Sequence, residues 1–115
     1  MKHFESEKDK KEYYYINYRA NGKGDLLKNQ LVSELRKCID VIGFLHPTIY
    51  SSYHYDSISV EINFIYKGKL RVFKKYFPVD FIENKALKDR DILYSAINSM
   101  IYPVIDYVVK GEIYG

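Results

Sequence analysis

The sequence predicts a small α+β domain, and three patterns support that fold class. Polar and apolar residues alternate from Ser57 to Tyr66, and a second strand-like run follows a short turn and ends at Phe77. In two further segments, apolar residues recur every three or four positions, as they do in amphipathic helices. We therefore expect the order β-α-β-β-α, with an antiparallel hairpin in a three-stranded or slightly larger sheet and two helices packed on one face.

The first part of the chain is expected to form an arm followed by a strand. Residues 1–12 carry mostly charges of mixed sign and are assigned to a solvated arm, and residues 13–115 are assigned to a single domain. The domain opens with YYYINYRA, residues 13–20. Aromatic and branched residues favour strands, so this run is predicted to be one.

A helix is predicted next, from about Asp25 to Ile42. Its apolar stripe has steps of three and four residues and consists of Leu27, Leu31, Leu35, Cys38 and Ile42. Asp25 is expected to be the N-cap, and Gly43 is expected to end the helix. The stretch NGKGD, residues 21–25, stands where a phosphate-binding loop would stand. It lacks the third glycine of a dinucleotide fingerprint and the GK[ST] ending of a P-loop, so a tight turn is preferred.

The segment before the hairpin is expected to be a long connection. Residues 44–55 contain Pro47 and show no sustained period, and a connection of this length is either functional or partly strand. The same region carries His46 and His54, and Asp56 follows them. Two imidazoles and a carboxylate could bind zinc or act as acid and base, but such generic spacing is common by chance, and no metal site is predicted.

The length of the turn at Lys67 and Gly68 decides which hairpin residues face the core. A two-residue turn pairs Glu61 with Lys74, and it places on the apolar face Arg71, Phe73 and Lys75. A three-residue turn would place there Leu70, Val72 and Tyr76. The sequence leaves both registers open.

The last helix has the strongest apolar pattern in the chain. Its apolar face comprises Ile92, Leu93, Ala96, Ile97, Met100, Ile101, Val104, Ile105 and Val108. Pro103 lies inside this pattern, so a kink or break near Tyr102 is expected. Residues 104–115 could continue the helix or form a short strand.

Charge and cysteine content restrict the class of protein. The net charge of the chain is +3. Five positive charges lie in the hairpin, at Lys67, Lys69, Arg71, Lys74 and Lys75, so the rest of the chain has a net charge of −2. Cys38 is the single cysteine, which excludes an intramolecular disulfide and suits a small hydrophobe of the first helix. With no apolar run after the N-terminal charges and no stretch as long as a membrane span, we expect a cytoplasmic protein without a membrane partner.

These patterns favour a binding protein over an enzyme. The sequence contains no catalytic motif that we recognise, and no cofactor or metal ligand is predicted. Thirteen tyrosines are more than one small core easily absorbs, and exposed tyrosine is favoured in binding surfaces. The predicted binding residues come from the hairpin and from the tyrosines before it: Tyr66, Lys67, Lys69, Arg71, Lys74, Lys75, Tyr76, Tyr13, Tyr15, Tyr50, Tyr53 and Tyr55.

The expected function is docking on a macromolecular partner, with a protein partner favoured because the tyrosine excess is typical of protein interfaces. A composition typical of AT-rich coding fits a phage or mobile-element protein that inhibits a host protein. The alternative is nucleic-acid binding through the basic hairpin, residues 66–77, whose cations would meet phosphates while its aromatic rings stack on bases. Homo-oligomerisation through an edge strand or the last helix also stays open.

Overall fold

Three antiparallel strands, four α-helices and three shorter π- or 3-10 helical segments make up the computed structural model, which describes residues 3–114. The sheet has the order β1-β2-β3, with β1 at Thr48–His54, β2 at Ser57–Tyr66 and β3 at Lys69–Pro78. The helices are α1 (Glu7–Tyr14), α2 (Lys23–Cys38), the short α3 (Val79–Phe81) and α4 (Arg90–Tyr114). The predicted α+β class with a three-stranded antiparallel sheet is therefore confirmed.

The strand predicted at residues 13–20 is wrong, because this segment is helical. Ser6 caps α1 by accepting a hydrogen bond from the amide of Asp9 at 3.1 Å, and the helix runs on into a π-helical turn at Tyr15–Arg19. Tertiary packing outweighs the strand propensity of these residues, because the helical spacing of Tyr14 and Tyr18 lets both rings enter the core. The first predicted element is thus a helix, and α1 begins inside the segment assigned to the arm.

The helix predicted at residues 25–42 is present, but its ends differ from the prediction. It begins at Lys23, whose amide donates to the Asn21 side chain at 3.0 Å in a local turn, so Asp25 is not the cap. After Cys38 a 3-10 helix, Ile39–Leu45, continues the chain. Gly43 lies within it and is not the stop; the chain reverses at His46, where φ is +50°.

The third strand of the sheet lies in the segment expected to be a connection. Strand β1 occupies Thr48–His54, so the alternative that this segment is partly strand is confirmed. Tyr66 pairs with Lys69 across a two-residue turn, which places Lys74 opposite Glu61 as expected for that turn length. The structure therefore adopts the two-residue register.

Helix α4 is continuous from Arg90 to Tyr114, so the predicted break near Tyr102 is wrong. The helix passes through Pro103, which has no amide hydrogen to donate to the carbonyl of Ser99. The alternative of a strand in the tail is wrong for residues 104–114, and Gly115 lies outside the described residues.

By length and composition alone, α4 could also cross a bilayer, since its most apolar window has a mean hydropathy of 1.3. The core helix of a water-soluble protein passes the same test, and 39% of that window is buried inside the protein. The buried side of the helix consists of Leu93, Ala96, Ile97, Met100, Ile101, Val104 and Val108.

The core lies between one face of the sheet and the helices. Alternate residues of β2 are buried there, namely Ile58, Val60, Ile62 and Phe64. Helix α2 contributes Leu27, Leu31 and Leu35 to the same core. The opposite face of the sheet retains large exposed side chains, and we call it the open face.

Candidate protein-docking site

Strand alternation divides the predicted basic residues of the hairpin between two sides of the sheet. The register places Arg71 opposite buried Phe64 and Lys75 opposite buried Val60, so both project to the helix side, as does Lys69. Lys74 projects to the open face, opposite Glu61. The predicted basic stretch therefore does not form one continuous surface.

The turn residues bind the chain itself. Lys67 and Gly68 both have positive φ, as a type I′ turn requires, and the Lys67 ammonium donates to the carbonyl of Gly111 at 2.9 Å. The neighbouring Tyr66 hydroxyl donates to the Glu112 carboxylate at 2.6 Å, a contact that raises the pKa of Tyr66 to about 12. These two predicted binding residues hold the hairpin tip against the end of α4.

The open face carries a group of exposed apolar and aromatic side chains. Ile65 and Leu70 are directly opposite each other and are each 60% exposed, and Val72 on the same face of β3 is 50% exposed. Tyr50 and Tyr76 lie on the same face farther from the turn, level with Glu61 and Ser59, at 55% and 57% exposure. We call this group, together with Lys74, the open-face patch.

A second feature is a groove between β3 and α4, which we call the hairpin groove. One part holds about 610 Å3 and is bordered by Phe77, Phe81, Ile92 and Ala96, with Lys75 and Asp91 beside them. A smaller part of about 240 Å3 lies at Phe73 and Pro103, and a third part of about 570 Å3 lies along Tyr107. The first two parts share Lys75 and Ser99, and the second and third share Phe73 and Pro103, so the three are adjacent between β3 and α4.

Several predicted binding tyrosines pack against the protein instead of facing solvent. Tyr53 covers Gly24 of α2, and its hydroxyl donates to the carbonyl of Tyr55 at 3.0 Å. Burial is the main cause that raises the pKa of Tyr53. Tyr55 and Tyr13 are half-buried and make edge-on ring contacts with Tyr14. Tyr13 and Tyr55 thus pack against Tyr14 of α1, and Tyr53 packs against α2. Their binding role stays a prediction.

Tyr15, a predicted binding residue in the π-helical turn after α1, is 56% exposed. It lies on the α1 side of the protein, away from the open-face patch, because the residues around it are helical and do not belong to the sheet. The structure thus brings together Tyr50, Lys74 and Tyr76 from the predicted set, and it separates the others from them.

A polar network under α1 was not predicted. The hydroxyls of Tyr14 and Tyr18 donate to the two oxygens of Asp80 at 2.7 and 2.9 Å, and Tyr18 also lies 2.8 Å from Glu83. Burial, followed by these hydrogen bonds, raises the pKa of both phenols well above the ordinary value. Lys23 pairs with Glu83 and closes the network. The network therefore joins α1 and the π-helical turn after it to α3 and to a second π-helical turn, Ile82–Ala86, that follows α3.

The histidine and cysteine candidates are dispersed. The ring of His54 lies 3.4 Å from the Ser59 hydroxyl, and Asp56 instead pairs with Lys10 at 3.4 Å. Among residues 3–114, no group of three histidine, cysteine or acidic side chains is close enough to hold a metal ion. Cys38 is half-buried against the core, as expected of a small hydrophobe.

The sequence reasoning missed the apolar part of the open-face patch. Ile65 is not among the predicted binding residues, and Leu70 and Val72 are expected on the apolar face if the turn has three residues. Apolar residues in both phases of a strand indicate either that both faces are covered or that one face exposes an apolar surface. Comparison of the chain with protein-family models, with curated proteins and with solved structures finds no match. The candidate site is therefore defined by its own geometry.

Proposed function

We propose that this chain is a non-enzymatic binding protein that docks on a partner protein through the open-face patch. The observation that carries the proposal is the exposure of Ile65, Leu70 and Val72, which are half or more exposed on adjoining positions of two paired strands. Apolar area costs about 25 cal/mol per Å2 when it stays in water, so such a group favours association.

The chemistry of the patch restricts the partner surface that would fit it. Tyr50 and Tyr76 offer aromatic area with a polar hydroxyl at the edge, a combination that protein interfaces favour. Lys74 stands 5.2 Å from the ring centre of Tyr76, and Glu61 lies directly opposite it on the same face. The fitting partner has an apolar centre with polar groups of both charge signs near its margin.

One observation supports nucleic acid as a second candidate. Within residues 3–114, four cations of β3 form no ion pair with a carboxylate, namely Lys69, Arg71, Lys74 and Lys75. Against this candidate, their division between two sides of the sheet limits how many could meet one phosphate backbone. Protein docking is therefore the better supported function.

An inhibitory role in a phage or mobile element is the more specific form of the proposal. It rests on an amino-acid composition typical of AT-rich coding, and on an exposed patch that could cover a functional surface of another protein. Cytoplasmic action is part of the same proposal.

The test compares capture of partners from cell lysate by the wild type, by the double variant Ile65→Asp/Leu70→Asp, and by the control Leu26→Asp. Leu26 is 56% exposed on α2, so the control introduces a charge at similar exposure on another surface. The proposal requires a protein that the control retains and the double variant loses, with purified partner reproducing the difference. Equal capture by all three proteins would refute it.

The nucleic-acid candidate needs its own measurement. Fluorescence anisotropy with labelled single- and double-stranded DNA and RNA would be recorded over a salt series. Binding that falls steeply with salt, and that disappears when Lys67, Lys69, Arg71, Lys74 and Lys75 are replaced by alanine, would favour nucleic acid over protein.

A further inference from the structure

Strand β3 is an edge strand, and its backbone groups on the outer side have no strand partner in the sheet. A two-residue hairpin closes with a hydrogen-bonded pair at Tyr66 and Lys69, so odd-numbered residues of β3 bond to β2. The amide of Val79 donates to the carbonyl of Asp56 at 3.0 Å, which agrees with this phase. The outward amides and carbonyls therefore belong to Leu70, Val72, Lys74 and Tyr76.

The hairpin groove runs beside this free edge. A strand added to β3 would direct alternate side chains toward α4, into the space bordered by Phe73, Phe77 and Pro103. Its other side chains would lie next to Leu70 and Val72 and would extend the open face. The edge supplies backbone hydrogen bonds, and the groove supplies room for side chains.

The charges beside the groove indicate an acidic occupant. Lys69, Arg71 and Lys75 project to the groove side, and none of them pairs with a carboxylate among the residues described. The Nε of Arg71 is buried without a hydrogen-bond acceptor, and the guanidinium lies 5.4 Å from the ring centre of Tyr107. A carboxylate arriving there would pair with a cation that is already partly desolvated.

The acids at the groove do not cancel this charge. Asp106 is paired with Lys110 at 2.9 Å, which leaves Asp91 at one end. Lys75 borders the groove, and Lys69 and Arg71 project to the same side of the sheet nearer the turn. None of these three cations has a counter-ion in an ion pair among residues 3–114, and Asp91 is the one acid at the groove in the same state. The balance favours negatively charged side chains in the occupant.

A second copy of this chain fits the edge poorly. If two β3 strands paired antiparallel about Phe73, Arg71 of each copy would stand opposite Lys75 of the other. Like charges directly opposite each other destabilise a strand pair. This register therefore disfavours a second copy, whereas an acidic strand would place opposite charges at the same positions.

We propose that the free edge of β3 and the hairpin groove bind an extended, acidic segment of a partner protein as a fourth strand. Apolar side chains of the segment lie opposite Phe73 and Phe77, and acidic side chains lie opposite Arg71 and Lys75. The groove lies on the helix side of β3 and the open-face patch on the opposite side, and the two share the backbone of Leu70, Val72, Lys74 and Tyr76. The inference goes beyond the proposed function because it concerns the strand edge and the groove, and not the side chains of the patch.

The probe is a library of random dodecapeptides selected on the immobilised wild type, followed by a fluorescein-labelled peptide of the most enriched sequence. We expect acidic and apolar residues to take turns at every second position of the enriched peptides, because Arg71, Phe73, Lys75 and Phe77 lie on one face of β3. Lys75→Glu should weaken the Kd of that peptide by about tenfold or more, whereas Arg36→Glu, an exposed site on α2, should leave the Kd unchanged.

A proline substitution tests the backbone part of the proposal. Lys74→Pro removes an outward amide that no neighbouring strand uses, and edge strands tolerate proline in that phase. Lys74→Ala is the matched control because it removes the same charge and keeps the amide. The Kd of Lys74→Pro should be weaker than that of Lys74→Ala by about tenfold or more, since strand addition needs the main-chain bond.

Hydrogen exchange of the wild type keeps the test decisive if the proline variant does not fold. Bound peptide should slow the exchange of the amides of Leu70, Val72, Lys74 and Tyr76. Absence of any enriched peptide would overturn the inference, as would peptides that bind Lys75→Glu normally and leave these amides unprotected. In either case the open-face proposal stands on its own variants, Ile65→Asp/Leu70→Asp.

Discussion

The close approach of Tyr53 to Gly24 makes a quantitative prediction about Gly24→Ala. A Cβ at Gly24 would overlap Cε1 and Cζ of the Tyr53 ring and come within 2.7 Å of Cε2. The ring cannot easily swing away, because its hydroxyl donates to the carbonyl of Tyr55 and the Arg19 guanidinium lies 5.3 Å from its centre. The extra methyl must therefore displace either the ring or the start of α2.

The magnitude follows from two opposing effects. Overpacking of this kind costs about 1–3 kcal/mol, and three overlapping ring atoms favour the upper part of that range. Replacing glycine by alanine in a helix gains at most about 1 kcal/mol. Gly24→Ala should therefore lower the free energy of unfolding by about 1–2 kcal/mol.

Urea unfolding followed by circular dichroism measures this change, and two variants serve as comparisons. Gly43→Ala has no atom within 4 Å of the new Cβ, so it should not destabilise the protein. On a Tyr53→Ala background, Gly24→Ala should become neutral or stabilising because the overlapping ring is gone. If Gly24→Ala matched Gly43→Ala in the wild-type background, Tyr53 would not be a packing residue, and its predicted binding role would regain support.

Three further predictions concern the other tertiary contacts of tyrosine. Tyr18→Phe should lower the free energy of unfolding by about 1.5–3 kcal/mol in urea melts, because it removes a buried hydroxyl from carboxylate acceptors. The control Tyr15→Phe, at an exposed site, should leave the free energy of unfolding unchanged, and equal effects of the two variants would contradict the network. Because the pKa values of Tyr14 and Tyr18 are raised in the folded protein, the unfolded chain loses these protons at lower pH. The contribution of these groups to the free energy of unfolding should be full below about pH 10 and should fall as the pH rises further. A Tyr14→Phe/Tyr18→Phe variant should show a shallower fall, and a fall of unaltered slope would refute the link between these phenols and stability. Gly111→Ala would place a Cβ 2.8 Å from the Tyr66 hydroxyl, so amide exchange at the hairpin tip should accelerate, and unaltered exchange would show that the tip is free of α4.

Regular patterns in the sequence were sufficient for the main helices and the hairpin. The apolar stripes of α2 and α4 and the alternation of β2 each have one dominant period, and each element forms where its period indicates. The pairing of Glu61 with Lys74 also follows from a two-residue turn. In these elements, local pattern and tertiary packing agree.

The first predicted strand failed because a local preference opposed a tertiary one. The aromatic run at residues 13–20 has strand propensity, yet the spacing of Tyr14 and Tyr18 suits a helix whose hydroxyls reach Asp80, more than sixty residues away. No local signal shows that distant carboxylate. Ser6 and Asp9 did offer a readable helix start, since a serine followed three residues later by an acid is a capping pattern.

The candidate site was predictable only in part, because exposure depends on which side of the sheet the helices cover. Tyr50 and Tyr76 lie on the open face, where a binding role would place them. Tyr53 lies three residues after Tyr50 on β1, so it points to the other face and covers Gly24 of α2. A shift by one residue moves a strand side chain to the other face. The sequence shows this alternation but does not show which phase is covered.

Position 67 has different requirements in the isolated turn and in the whole protein, because its φ is positive and its side chain also contacts α4. Asparagine or glycine suits the first position of a type I′ turn better than lysine does, so either would favour the hairpin as an isolated peptide. Neither can extend an ammonium group to the carbonyl of Gly111, so in the full chain the same change would leave the Tyr66 hydroxyl to hold the hairpin tip against α4. A residue that looks suboptimal within the four-residue turn therefore helps to orient the strand pair on the long helix, and improving the turn would weaken that attachment.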